Sequence, residues 1–157
     1  MISRRHICGI AVGLLLLGAV DVDARGRTRS PYSGLISSAQ PCEMTDFDGG
    51  AAYPEGYGPY VFIGYPTTGD TVTGKVFVVF GAFAGTWLGD SGLGSIPEVH
   101  LLVDGNVTAV SSGASLTWST RQSAKGSHAL QVRVYTMDLE HTKACYLDSP
   151  VEYPVVQ

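Results

Sequence analysis

His128-Ala129-Leu130-Gln131-Val132-Arg133-Val134-Tyr135-Thr136-Met137 is the stretch on which the reading of the fold turns. Leu130, Val132 and Val134 alternate with Gln131 and Arg133. Successive side chains of a strand point to opposite faces, so this segment reads as a half-buried strand with the three aliphatic residues inside. Upstream, residues 115–120 alternate again, with Leu116 and Trp118 apolar between Ser115, Thr117 and Ser119. Residues 98–103 place Val99, Leu101 and Val103 inward and run into Asp104-Gly105-Asn106, a tight-turn signal where positive φ is needed, from which residues 107–110 return. Residues 75–84 form the longest predicted strand, with Val76, Val78, Phe80 and Ala82 on one face, and residues 60–63 form the first, ahead of a turn at Pro66-Thr67-Thr68-Gly69-Asp70. Downstream, residues 143–156 contain Pro150 and Pro154, which lack the N–H a central ladder requires, and this predicts a sheet edge. Short strands at even spacing with no helical period are the layout of an all-β sandwich or barrel.

The chain of 157 residues has a one-domain length, and its first part predicts export. Arg4 and Arg5 precede an apolar run over residues 7–20, and Val22-Asp23-Ala24 offers the small residues of a cleavage site, so residues 1–24 read as a signal peptide. The run is too short to span a hydrocarbon core of about 30 Å as a helix, which argues against a transmembrane anchor. Ser3-Arg4-Arg5-His6-Ile7 resembles a twin-arginine export motif, yet paired arginines are ordinary in any signal peptide, and both export routes stay open. Cys8 lies before the apolar run and not at its end, so no lipobox is present. The expected location is the periplasm, the cell surface or the medium.

After Arg25, Arg27 and Arg29 the chain carries five basic and twelve acidic residues, an acidic body that argues against nucleic acid as a partner. Beyond the signal the two cysteines are Cys42 and Cys145, and an oxidising compartment predicts a disulfide between them. Two free buried thiols are the alternative; no second Cys or His stands at a chelating spacing. Residues 25–58 are rich in Gly, Ser, Pro and Tyr with no sustained period, and read as an irregular arm tethered by Cys42 ahead of a domain at residues 59–157.

The order of motifs resembles the bacterial immunoglobulin-like (Big) domains of secreted and surface proteins. The matching residues are Tyr65-Pro66, Gly69-Asp70-Thr71-Val72-Thr73-Gly74, alternating Val76 and Val78, Val99 through Val103-Asp104-Gly105, Leu116-Thr117-Trp118, and Gly126-Ser127-His128-Ala129-Leu130. The resemblance implies an immunoglobulin-like antiparallel β-sandwich of about seven strands. In it Gly74 and Gly105 make turns, Trp118 fills the space between the sheets, and Gly126-Ser127-His128 starts a core strand. It implies a modular habit and no single chemistry. Three features depart from the pattern: a Gly-rich loop over residues 85–97 bearing Trp87, Leu88, Leu93 and Ile96; Leu139-Glu140-His141 after Asp138; and the arm holding Cys42.

Two places are candidate binding sites. Trp87, Leu88 and Leu93 sit on the long loop, where an aromatic tip suits stacking on a sugar or insertion into a pocket, or folds back to plug the sandwich. Phe77, Val79 and Phe83 lie on the outward face of the longest strand, where a strand facing water would not be apolar, so a cover is expected: the arm around Tyr53, Tyr57 and Tyr60, or a second subunit. No cofactor or metal is expected. His100, His128 and His141, with Met44 and Met137, offer no pair at ligand spacing on one strand face. Asp46-Phe47-Asp48-Gly49 opens like a calcium loop without its later acidic ligands, which leaves at most a weak site from Asp46, Asp48 or Asp90. Ser111-Ser112 lacks a Gly-x-Ser-x-Gly elbow and the histidines fall on different elements, so no enzyme is expected. The function expected is an exported protein-interaction or structural module whose partner is an extracellular or periplasmic protein, self-assembly included. A carbohydrate-binding accessory using the Trp87 loop is the alternative.

Overall fold

A computed structural model describes residues 32–43, 60–83, 95–112, 115–137 and 142–157, which belong to one compact unit, Tyr32–Gln157. The strands are β1 (Gln40–Pro41), β2 (Tyr60–Tyr65), β3 (Thr71–Val72), β4 (Lys75–Phe83), β5 (Ser95–Val103), β6 (Asn106–Ser111), β7 (Leu116–Ser119), β8 (Gly126–Ser127), β9 (Leu130–Met137), β10 (Ala144–Asp148) and β11 (Val155–Val156). One short helix, α1 (Ser33–Ser38), precedes β1. No helix among the described residues is long and apolar enough to cross a membrane.

The order β2-β4-β7 forms one sheet and β1-β10-β9-β5-β6 the other, with β3-β11-β8 as a small third ladder. The chain passes between the two larger sheets from β4 to β5, from β6 to β7 and, by way of β8 in the third ladder, from β7 to β9, the crossing pattern of an immunoglobulin-like sandwich. The core lies where their inner faces meet. Val61, Ile63, Val76, Val78, Leu116 and Trp118 come from one side, and Val99, Leu101, Val103, Leu130, Val132 and Val134 from the other. These are the inward positions that period-2 alternation picks out. Burying each aliphatic side chain contributes about 1.5–3 kcal/mol against the entropy of ordering the chain.

Local chemistry fixes the turns. Asp104 (φ 51°) and Gly105 (φ 77°) join β5 to β6 with Val103 opposite Asn106, a two-residue hairpin with both central residues left-handed. At the β2–β3 turn the Thr67 N–H and hydroxyl donate to Asp70 (2.8 and 2.9 Å), while the Thr68 N–H and hydroxyl donate to Glu152 (both 2.7 Å). The Thr67 backbone bond holds the Asp70 carboxyl below the usual carboxylate range.

Four sequence expectations need correction. The sandwich is not wholly antiparallel, since β1 pairs with β10 and β3 with β11 in parallel. The arm is not irregular throughout, because α1 and β1 fall within it; six residues are too few for a helical period to show in sequence. The closing segment is not an edge. β10 lies between β1 and β9, and β11 is the middle strand of its ladder. The prolines fall between these ladders, and the buried Ser149 fills the gap: its N–H donates to the Val132 carbonyl (2.8 Å) and its hydroxyl accepts from the Val132 N–H (3.0 Å). Finally, β9 is half-buried only as far as Val134, for Tyr135, Thr136 and Met137 are all buried.

Cys42 and Cys145 are joined by a disulfide across 103 positions. In the chain-entropy model a loop of that length is worth about 4.7 kcal/mol. β1 and the Cys42 N–H, which donates to the Tyr146 carbonyl (2.9 Å), cover the outer edge of β10.

Candidate interaction face

Of the proposed binding residues, Phe77 and Val79 alternate along β4 with the buried Val76 and Val78, and they face outward, 64% and 58% exposed. Tyr60, Phe62 and Tyr65 of β2 join them on the same side of the β2-β4-β7 sheet, each about half exposed. The cover expected from Tyr60 is corrected by register. Tyr60 sits in β2 opposite Phe83, so it belongs to the face and does not overlie it. Phe83 ends β4; its side chain lies outside the described residues, as do Tyr53 and Tyr57. Trp87, Leu88 and Leu93 on the long loop also lie outside them. That loop is shorter than expected at its far end, because β5 begins at Ser95 and takes in Ile96 and Pro97.

The face has a floor that sequence alone does not show. Phe62 pairs with Gly81, and a Cβ built on Gly81 would come within 2.4 Å of the Phe62 ring. The ring therefore occupies the space that a side chain at position 81 would take, and it remains about half exposed. Tyr60 stands beside it, ring centroids 6.1 Å apart and planes inclined by 30°. The Lys75 ammonium lies 5.6 Å from the centre of the Phe77 ring, within cation–π range. Alternation places Thr117 and Ser119 of β7 on this side, opposite Phe77 and Lys75. The described part of the face thus carries one cation, several hydroxyls and no carboxylate.

The described histidines, His100 and His128, have structural partners. His128 reaches Asp104 through Nδ1 (2.7 Å) and the Ala124 carbonyl through Nε2 (2.8 Å), and the Ala129 N–H donates to the other Asp104 oxygen (2.9 Å). Two acceptors for two ring nitrogens favour the doubly protonated ring. The Ala124 carbonyl first, then Asp104, raise the His128 pKa, and the same contact lowers that of Asp104. The Trp118 and His128 rings meet edge to face, centroids 5.8 Å apart. His100 hydrogen-bonds to Glu98 and packs edge-on against Tyr135 (4.8 Å), which contacts Tyr146 (5.9 Å). Arg133 lies 3.8 Å over Tyr146 and forms a two-pronged ion pair with Asp148 (2.7 Å each). This polar-aromatic row escaped sequence reasoning, since its members come from three strands whose register was unknown.

Met44, Asp46, Asp48, Asp90 and His141 lie outside the described residues. Among the described residues no group of three or more His, Cys, Asp or Glu is placed to hold a metal.

No family model matches the sequence, and no curated protein does. Among solved structures it is similar to the fibronectin(III)-like modules of Clostridium thermocellum CbhA. Identity is 13% and the TM-score 0.43, over 61% of this chain and 93% of that one. At that identity and score the likeness carries no function across. The sandwich assignment stands on the ladders and core described above.

Proposed function

We propose that this chain is an exported module of the bacterial immunoglobulin-like kind that docks another extracellular or periplasmic protein on the outer face of β2 and β4. The observation that carries the reading is the exposure of Phe77 and Val79 beside Tyr60, Phe62 and Tyr65. Contiguous apolar surface left to water is uncommon and marks interaction sites, and aromatic residues dominate the energetic centres of interfaces. The protein that fits has an apolar centre and an acidic rim, matched to Lys75 and to the absence of carboxylates among the described residues of the face. No chemistry is assigned to it: the described histidines are held in place by structural contacts. The disulfide is compatible with export.

A photo-crosslinking residue introduced at position 77, with the exposed position 122 at the end of the short turn Thr120–Gln122 as control, tests this in the producing cells. The expected result is one discrete protein adduct from position 77, abolished by Phe62→Ser and missing from position 122. Equal labelling at both positions, or none at 77, overturns the reading.

One observation favours a second reading, a carbohydrate-binding accessory. The exposed Tyr60 and Phe62 rings, side by side with centroids 6.1 Å apart, suit stacking on a sugar ring, a role first expected of Trp87. A glycan array with Phe62→Ala and Trp87→Ala separates the two. A sugar signal lost in Phe62→Ala supports carbohydrate, whereas a blank array with the unaltered chain removes it.

A further inference from the structure

The chain contains a single asparagine, Asn106, and the residues around it form a signal that the docking face leaves unused. Asn106-Val107-Thr108 matches Asn-x-Thr with a residue other than proline in the middle, the acceptor pattern for N-linked glycosylation. Asp104, two positions before the asparagine, adds the acidic residue of the longer form of that signal. So short a pattern arises by chance in many chains, and its setting in the fold decides whether it is usable. Here residues 104–108 are all exposed. They make up the β5–β6 turn and the start of β6, the end strand of the five-stranded sheet, so a bulky group joined to them displaces none of the core residues. Asn106 Nδ2 donates to the Asp104 carbonyl (3.1 Å). That nitrogen carries two hydrogens, and a glycosidic bond replaces one while leaving the other for Asp104. Thr108 is the extra residue of the β6 bulge, since Leu101 stands opposite Ala109 and Leu102 opposite Val107. Its hydroxyl reaches the Leu101 carbonyl over 3.3 Å, longer than the usual distance of about 2.7–2.8 Å for such a bond. The hydroxyl that a glycosyl-transferring enzyme must engage is thus weakly held, on a residue outside the regular ladder.

We infer that Asn106 is the acceptor of an N-linked glycan, added by a membrane-bound oligosaccharyltransferase during or after export. The inference rests on the export reading and is independent of the docking face. In the transfer Asn106 Nδ2 bonds to the anomeric carbon of an oligosaccharide carried on a lipid diphosphate. The bond from that carbon to the diphosphate oxygen breaks, the lipid diphosphate leaves with the electron pair, and the proton lost from Nδ2 goes to it. The glycan also suits the edge it occupies. Val107 and Val110 are 52% and 56% exposed on a strand without charged residues, a surface open to pairing with another chain, and a hydrated oligosaccharide at Asn106 screens it.

Mass spectrometry of the full chain purified from the cells that produce it, intact and as the peptide containing Asn106, tests this. The wild type is compared with Asn106→Gln, Thr108→Ser and Thr108→Val, all at exposed positions. The expected result is a chain that lacks residues 1–24 and is heavier than its polypeptide by a whole number of sugar residues, all of them on Asn106. The increment is lost in Asn106→Gln and in Thr108→Val and kept in Thr108→Ser, which retains the hydroxyl. An exported wild-type chain without the increment, or an increment that survives Asn106→Gln or Thr108→Val, overturns the inference and leaves the export reading standing. A chain held inside the cell with residues 1–24 still attached overturns both.

Discussion

Two residues show how single side chains set both fold and face. Gly81 is where a hydrogen in place of a methyl decides the orientation of Phe62. Gly81→Ala is expected to lift the ring, because the obstructing atoms belong to the far end of a half-exposed side chain that can swing away. The stability change should stay within about 1 kcal/mol, read as the urea midpoint, while crosslinking from position 77 drops. His128 works in the opposite way, tying a turn to a core strand. His128→Ala is expected to cost about 1–3 kcal/mol, since Asp104 and the Ala124 carbonyl lose their donor.

The pH dependence of that contact has a definite sign. The folded His128 pKa is raised above its ordinary 6.5, so its contribution is complete below that value and is lost as pH rises through the folded pKa. Asp104 is lowered from 3.8, so its contribution is present above that value and is lost as pH falls through the folded pKa. Urea midpoints of the wild type should therefore fall between pH 5.5 and 9 by more than those of His128→Ala. Parallel curves would refute the assignment.

At the scale of elements, the two-residue β1 ladder and the disulfide beside it make a separable prediction. Replacing both cysteines with serine should free α1 and β1 before anything else. Hydrogen exchange at the Cys42 position, whose N–H donates to Tyr146, is expected to reach the rate of an open chain, while the β9 amides keep their protection. Loss of protection throughout β9 at the same denaturant-free condition would show that the disulfide supports the sandwich as a whole. β6 illustrates a different element-level device: its bulge opposite Leu101 and Leu102 disrupts an edge whose sequence, Asn-Val-Thr-Ala-Val-Ser, carries no charge to deter pairing.

Across the whole molecule, Trp118 joins the two sheets, buried within the shared core and bonded through Nε1 to Ser123 (3.3 Å). Trp118→Ala is expected to cost about 3–5 kcal/mol, and chemical denaturation should show both sheets lost in a single earlier transition. Alternation alone made the strands and their buried positions legible, because period 2 is a property of the backbone and apolar burial rewards it at each strand separately. The Asp104-Gly105 turn was legible for the same local reason. Pairing across the chain was not. That Phe62 meets Gly81, that Arg133 meets Asp148 and Tyr146, and that Ser149 bridges the ladder past Pro150 depend on register between distant segments, which no local propensity encodes. The sequence by itself thus determined the longer strands, the alternating aliphatic positions buried in them and which two cysteines could join, but not α1, the two-residue strands or the buried end of β9. Only the tertiary structure decided which outward residues share a face, because that choice is made by hydrogen-bond registry and sheet order, where many arrangements bury the same aliphatic side chains equally well.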